Sequence, residues 1–437
     1  MTFSEHSQQA WPAPLANGPI NATVAIPGSK SLTNRELVLS VLANEPTTLH
    51  ATLDSRDSRL MIEALSQLGA RFEGNLHETL TVLPPAELTG GTRQNPIVID
   101  CGLAGTVMRF VPPLAALANG SVTFNGDEGA RRRPMHTTIS SLRALGVEVD
   151  DGGRGSLPFT VHGTGSVPGG ALTIDASASS QFVSGLLLSA ARFENGIVLA
   201  HEGEHLPSLP HIEMTLDTLA KRNVSVLNPQ PTEWRVEAGE IHGGDLWIEP
   251  DLSNAGPFLA AAMVAGGSVT IPGWPTTTTQ VGNEFDGILQ RMGAEISRSE
   301  HGLTITGTGK INGITIDLGI GGELTPVVAA LAALADSPTV ITGVAHLRGH
   351  ETDRLAALAT EINRIGGVCR ETADGLEIDP SPALHGALWH SYHDHRMATS
   401  GAIVGLRVAG ITVENIETTS KTMPNFAQMW QQMLGNA

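Results

Sequence analysis

A repeat constrains this chain more than any other feature. Six segments share one form, a polar start followed by an Ala/Leu-rich run of helical length. They are SLTNRELVLSVLA from Ser31, GTVMRFVPPLAALA from Gly105, SSQFVSGLLLSAA from Ser179, SNAGPFLAAAMVAG from Ser253, GELTPVVAALAALA from Gly322 and DHRMATSGAIVGL from Asp394. Successive starts lie 74, 74, 74, 69 and 72 residues apart. A recurrence of that length means one supersecondary unit used again and again. The runs are apolar nearly all round, which reads as buried helices.

A second helix follows each of the six at a similar lag. Its apolar residues recur every three or four positions, as in Leu60, Met61, Leu65 and Leu68, or Leu355, Leu358, Ile362 and Ile365. That stripe marks a helix with one buried face. The stripes stop at Gly69, Gly146, Asn223, Gly293, Gly366 and Gly435, residues suited to the left-handed position just past a helix end. Strand-like runs follow, such as Val147–Val149 and Val224–Val226. Others precede the first helices at Thr23–Ile26, Ile97–Asp100, Leu172–Asp175 and Ile314–Asp317. Each unit is therefore strand, helix, strand, helix, strands.

One core seldom grows past roughly 250–300 residues, so the 437 residues predict two domains of three units each. Breaks near Pro27–Gly28 and Glu249–Pro250 place them at 28–250 and at 1–27 plus 251–437. The class is α/β (α+β), with buried parallel helices inside and sheets outside. The net charge of 26 − 44 = −18 argues against broad binding to nucleic acid or to an acidic membrane. Two cysteines, Cys101 and Cys369, make neither a disulfide framework nor a metal-ligand spacing. The N-terminal stretch lacks the basic and apolar regions of a signal peptide, and no run is long enough to span a membrane. A soluble, cytoplasmic, monomeric protein is the expectation.

Parallel buried helices would gather their N-termini on one face of each domain. Such ends carry free N–H groups and partial positive charge, so they attract anions. Lys30, Ser31 and Arg35, Gly105, Thr106 and Arg109, Ser179, Ser180 and Gln181, and Arg396 all stand at helix starts. Arg133, Arg354 and Lys421 open other segments. Two such faces opposed across a cleft would bind small polyanions carrying phosphate and carboxylate groups. The PGSKSLTNR stretch from Pro27 to Arg35 is not a nucleotide P-loop, because that motif requires glycine at Val24 and at Ser29. An N-cap at Ser29 or Ser31 accounts for its serines but not for Lys30 or Arg35.

PGSKSLTNR, LAGTVMR, RRRPM, SSQF, HETDRL, DHRMA and SKTMPNF occur in this order between about Asn21 and Phe426. Together they resemble the signature segments of the EPSP synthase family of enolpyruvyl transferases. The resemblance implies two domains of three βαβαββ units. It also implies transfer of the enolpyruvyl group of phosphoenolpyruvate to the 5-hydroxyl of 3-phosphoshikimate, by addition and elimination, without metal or organic cofactor. That reaction lies on the route to chorismate and the aromatic amino acids.

The same resemblance gives residues their roles. Glu323, Glu351 and Lys30 are the catalytic candidates. Lys30, Ser31, Arg35, Ser179, Ser180, Gln181, Ser208, Glu323 and His350 are expected around 3-phosphoshikimate. Lys30, Gly105, Arg133, Gln181, Arg354, Arg396 and Lys421 are expected around phosphoenolpyruvate. The chain departs from the family where Glu323 replaces a more familiar Asp, His350 a common Lys, Leu103 a frequent Asn and His211 a frequent Tyr.

Plainer readings compete with these. Arg109 reads as bonding carbonyls within its own domain, Arg131 and Arg132 as a solvated face, and His205 and His211 as loop residues. His393 and His395 lack a third ligand at metal spacing. The nearest alternative activity acts on UDP-N-acetylglucosamine, and that family typically carries a Cys in the loop that here reads NGDEGARRRPM. A catalytically silent anion-binding homologue would lack an acid or lysine, yet Lys30, Glu323, Glu351 and Arg396 are all present.

Overall fold

The computed structural model of the chain describes residues 10–349 and 352–435. These form two compact units, one of Pro27–Glu249 and the other of the residues up to Ile26 together with those from Pro250 onward. Each unit has its own apolar core.

The Pro27–Glu249 unit is built on the helices Lys30–Leu42, Gly105–Ala115 and Gln181–Ala190, and the other on Leu252–Ala265, Thr325–Ala332 and His395–Gly405. All six repeated starts thus open a helix. Every residue of Gly105–Ala115 and of Thr325–Ala332 is buried. The second helices are Arg56–Gln67, His136–Ala144, Leu209–Lys221, Phe285–Arg291, Arg354–Arg364 and Phe426–Met433. The predicted stop residues are all left-handed, including Gly69 at φ +109° and Asn223 at φ +62°. Just past them the backbone turns back on the helix, Ala70 N donating to Leu65 O at 3.2 Å and Val224 N to Leu219 O at 3.0 Å. That bond satisfies a carbonyl the helix would otherwise leave open.

Five four-stranded sheets and one three-stranded sheet are present among the described residues. In the second repeat Ile97–Asp100 runs parallel to Asn119–Asn125, which pairs antiparallel with Phe159–Thr164, and Glu148–Asp150 closes the order. The order is first, second, fourth, third strand of the unit. The parallel pair needs a crossover, which the helix Gly105–Ala115 supplies, while the antiparallel Glu148–Asp150 and Phe159–Thr164 strands need no helix between them.

The first sheet of each unit departs from the simple repeat. The run expected as a strand at Thr23–Ile26 is observed at Ile20–Thr23, and it pairs parallel with Gly267–Ile271 in the fourth repeat. The first repeat instead receives Gly244–Trp247, parallel to Thr47–His50. Strand order around each unit is therefore closed by the segment next to the crossover. The register places Val24 N on Thr270 O at 2.9 Å, so the chain is still pairing with the fourth repeat there. Smaller offsets occur at Glu148–Asp150, Gly170–Ile174, Thr315–Asp317 and Val226–Gln230. His211, expected in a loop, lies in the first turn of Leu209–Lys221.

A buried ion pair ties the first helix to the third repeat. Arg222, 1% exposed, donates from Nε and Nη2 to Glu36 Oε2 at 2.9 and 2.7 Å. It also reaches Ser40 Oγ at 2.8 Å, Thr47 Oγ1 at 2.9 Å and the His242 carbonyl at 2.9 Å. Burial pushes the Glu36 carboxyl above its ordinary value, and the Arg222 guanidinium opposes that push. Truncating one partner leaves a desolvated charge, at a cost of about 3–5 kcal/mol. Arg222→Ala is expected to lose that much in urea unfolding, and a loss below about 1 kcal/mol would show that the pair does not hold these elements together.

Candidate active site

In the Pro27–Glu249 unit the three buried helices begin beside one another. Asn34 Nδ2, one turn into the first helix, donates to Thr106 Oγ1 in the first turn of the second at 2.8 Å. The first turn of the second helix in turn meets the third. A Cβ on Gly105 would lie 2.9 Å from Gln181 Oε1, 3.1 Å from Arg109 Nη1 and 3.1 Å from Arg133 Nη2. Lys30, Gly105 and Gln181 are the first residues of their three helices. The repeat thus delivers an ammonium, a bare backbone and an amide to one end of one helical cluster, where the helix N-termini add positive potential.

Polar groups there lack protein partners. Arg133 Nε and Gln181 Oε1 are buried without a hydrogen bond. Buried polar atoms in folded proteins are nearly always bonded, and both of these side chains border Gly105. Arg133 Nη1 donates to the Leu103 carbonyl at 3.2 Å, which leaves the fork directed by backbone rather than neutralised by a carboxylate. Glycine at 105 keeps this corner open, since any side chain would fill it.

Lys30 lies 3.8 Å from Asp57 Oδ2, and Asp57 is nearly buried. Asp57 escaped the sequence reading. It stands in the first turn of Arg56–Gln67, where an acid is unremarkable because it favours the helix dipole. Only the fold brings it to Lys30.

Arg35 is 2% exposed. Its Nε donates to Thr215 Oγ1 at 2.8 Å, Nη1 to Ser31 O at 2.9 Å and Nη2 to the His211 carbonyl at 2.8 Å. It is a fixed cation directly beneath Ser31. Ser29 caps that helix, accepting from Leu32 N, as the plainer reading expected. Ser179 Oγ accepts from Gln181 N at 3.3 Å; Ser180 and Ser208 immediately precede Gln181–Ala190 and Leu209–Lys221 without a side-chain capping bond, and Ser208 has a left-handed backbone, φ +52°. Arg109 bonds the Pro134 carbonyl at 3.4 Å and stacks over Phe182, while Arg131 and Arg132 are exposed.

The other unit repeats the arrangement. Glu323, in the turn before Thr325–Ala332, accepts a short hydrogen bond from Ser253 Oγ at the start of Leu252–Ala265. Arg396 Nη1, at the start of His395–Gly405, donates to the Glu323 carbonyl at 3.1 Å, and its Nη2 lies 3.6 Å from Glu323 Oε1. Lys421 ends the turn Ile416–Lys421, and the adjoining Thr422 carbonyl accepts from Asn254 Nδ2 at 3.2 Å, so this turn sits at the same helix starts. Arg354, 2% exposed, opens its helix and donates to Asp394 Oδ2 at 2.8 Å and Oδ1 at 3.3 Å. In the sequence Asp394 is the start of the sixth repeated segment; its role as the partner of Arg354 appears in the fold. Glu351 and His350 lie outside the described residues.

These are two helix-start clusters of cations and hydroxyl groups, with Asp57 beside Lys30, Asp394 paired with Arg354 and Glu323 beside Arg396. Such groups can bind phosphate and carboxylate and move a proton at a hydroxyl. The sequence profile of EPSP synthase (3-phosphoshikimate 1-carboxyvinyltransferase) matches residues 15–430. A 3-phosphoshikimate 1-carboxyvinyltransferase of Kocuria rhizophila is 54% identical over 99% of this chain and 98% of its own. Two solved EPSP synthase structures from Acinetobacter baumannii share the fold at TM-scores of 0.79 and 0.78, each with 24% identity over 96% of this chain and 97% of theirs. The protein belongs to the EPSP synthase family of enolpyruvyl transferases.

Gly105→Ala tests whether the open corner is a ligand site. Three side-chain ends must move to admit the methyl group, so the fold is expected to survive, with a melting temperature within a few degrees. Calorimetric affinity for phosphoenolpyruvate is expected to fall about tenfold, and an unchanged affinity would place the anion elsewhere.

Proposed function

We infer that this chain transfers the enolpyruvyl group of phosphoenolpyruvate to the 5-hydroxyl of 3-phosphoshikimate, forming 5-enolpyruvylshikimate 3-phosphate and phosphate. The single observation that carries the reading is the corner at Gly105, where Gln181 and Arg133 present buried, unpartnered polar atoms beside a helix start. The 54% identity to a named 3-phosphoshikimate 1-carboxyvinyltransferase across almost the whole chain supports it.

The chemistry asks for a base at oxygen and an acid, then a base, at carbon. Glu323 takes the proton of the 5-hydroxyl as that oxygen bonds to C2 of phosphoenolpyruvate. Lys30, with Glu351, delivers a proton to the methylene carbon, giving a tetrahedral ketal that still carries phosphate. Loss of a methyl proton and departure of phosphate then restore the double bond. Glu323 is suited to the first step because Ser253 and Arg396 fix its carboxylate. General acid–base catalysis of this kind contributes typically 10²–10⁴-fold.

Arg133, Gln181, Arg354, Arg396 and Lys421 hold phosphoenolpyruvate, whose phosphate approaches the backbone at Gly105. Preorganised cations of this sort stabilise the charge that develops on the leaving phosphate. Ser31, Arg35, Ser179, Ser180, Gln181 and Ser208 hold 3-phosphoshikimate. Arg35, already bonded on three of its nitrogens, supplies a charge that needs no reorganisation when the ligand arrives.

Phosphate release from phosphoenolpyruvate is expected with 3-phosphoshikimate and not with UDP-N-acetylglucosamine; the opposite preference would overturn the assignment. Glyphosate is expected to compete with phosphoenolpyruvate. Glu323→Ala is expected to lower kcat by at least about a hundredfold with 3-phosphoshikimate binding little changed. An unaltered kcat would remove Glu323 from the chemistry.

A further inference from the structure

The turn before His395–Gly405 is strained. Tyr392 and His393 have φ +53° and +56°. They are the only two consecutive non-glycine residues in the left-handed region among the described residues. Side chains disfavour that conformation, so surrounding bonds must impose it.

Two carboxylates receive those bonds, Glu361 most of them. Tyr392 Oη donates to Glu361 Oε1 at 2.6 Å, and the His390 backbone N donates to Glu361 Oε2 at 3.1 Å. Glu361 is 0% exposed and also accepts from Arg364 Nε at 3.0 Å. Ser391 N donates to Glu414 Oε2 at 3.2 Å, and Asp394 N closes the turn onto Ser391 O at 2.8 Å. A fully buried carboxylate is costly unless its oxygens are bonded. Apolar packing at this position would not require one, and the proposed chemistry makes no use of it.

The turn leads directly to the anion-binding groups. Asp394 receives Nε and Nη2 of Arg354 and caps the helix by accepting from Arg396 N at 2.8 Å. Glu361 and Arg354 lie on one helix, seven residues apart and hence on the same face. One rigid element therefore holds both ends of the Arg354–Asp394 pair, Arg354 directly and Asp394 through the turn that Glu361 grips.

We propose that Glu361 and Tyr392 are positioning residues for the phosphoenolpyruvate-binding arginines: their hydrogen bond keeps Tyr392 and His393 left-handed, which fixes Asp394 and through it the direction of Arg354 and the helix start that carries Arg396. This rests on the assignment of Arg354 and Arg396 to phosphoenolpyruvate. Neither Glu361 nor Tyr392 is among the residues assigned to a substrate.

Tyr392 is the only tyrosine in the chain, so its ionisation can be followed alone by ultraviolet absorbance. Burial, and then the Glu361 carboxylate, push its phenol up to about 12. The test uses the full-length chain with Tyr392→Phe and Glu361→Gln. Tyr392→Phe removes only the hydroxyl. It is expected to raise KM for phosphoenolpyruvate about tenfold, the loss of roughly one hydrogen bond. KM for 3-phosphoshikimate should stay within about twofold, and the melting temperature within a few degrees. Glu361→Gln leaves one oxygen to accept where the carboxylate offers two, so the phenol and the His390 N–H cannot both keep their bonds. It is expected to raise KM for phosphoenolpyruvate at least as much as Tyr392→Phe does, and to lower the tyrosine titration from about 12 only part of the way, because burial, the larger cause, remains. Turnover by Tyr392→Phe with an unmoved KM for phosphoenolpyruvate would overturn the proposal alone. So would equal rises in both KM values with a fall in melting temperature, the mark of a merely structural role. No phosphoenolpyruvate turnover by the unaltered chain would overturn the parent reading and this one with it.

Discussion

A helix with no face toward water must satisfy its open first turn from within the protein. That requirement acts in both units: Ser29 accepts from Leu32 N, Asp251 from Asn254 N at 3.0 Å and Asp394 from Arg396 N at 2.8 Å. Side-chain bonds then join one helix start to the next, Asn34 to Thr106 in one unit, and Ser253 and Arg396 to Glu323 in the other. Helix starts joined in this way hold their positive ends together. Beside these starts Arg133 Nε is a buried donor without a hydrogen bond, next to the bare backbone of Gly105.

A chain of net charge −18 that binds phosphorylated ligands must place its cations with care. Arg35, Arg222 and Arg354 are at most 2% exposed. All three are gripped by several acceptors, which offsets their desolvation. The carboxylates that hold Arg222 and Arg354, Glu36 and Asp394, are buried as well. Only Arg222 is neutralised well away from any helix start, and its task is to tie the first helix to the third repeat. The others are aimed by their partners toward the helix starts, where local potential outweighs the overall field.

Much of the architecture was legible in the residues because it follows from local periodicity. The apolar runs predicted the six buried helices, and the glycines and Asn223 predicted where the second helices stop, since a left-handed residue is needed there. Strand ends were less legible. A strand of four residues carries little pattern, and its partner is set by pairing across the unit. The run at Thr23–Ile26 shows this: its sequence suits a strand before the first helix, but hydrogen bonding gives Ile20–Thr23 to the fourth repeat. His211 was misplaced because Ser208, Leu209 and Pro210 read as a loop as readily as a helix start. Asp57 and Glu361 carried no distinct signal, being acids where acids are common on helices, and Asp394 opened the sixth repeated segment without any sign of its partner.

The sequence by itself determined the repeat, the buried helices and the charged and small residues at their starts, because helical period and glycine geometry are properties of neighbours along the chain. Tertiary structure alone decided which of these starts meet, which segment completes each first sheet, and which acid faces which cation. Those depend on contacts between residues tens to hundreds of positions apart. No local pattern specifies such contacts, and only the packing of whole helices brings the groups to within 3 to 4 Å.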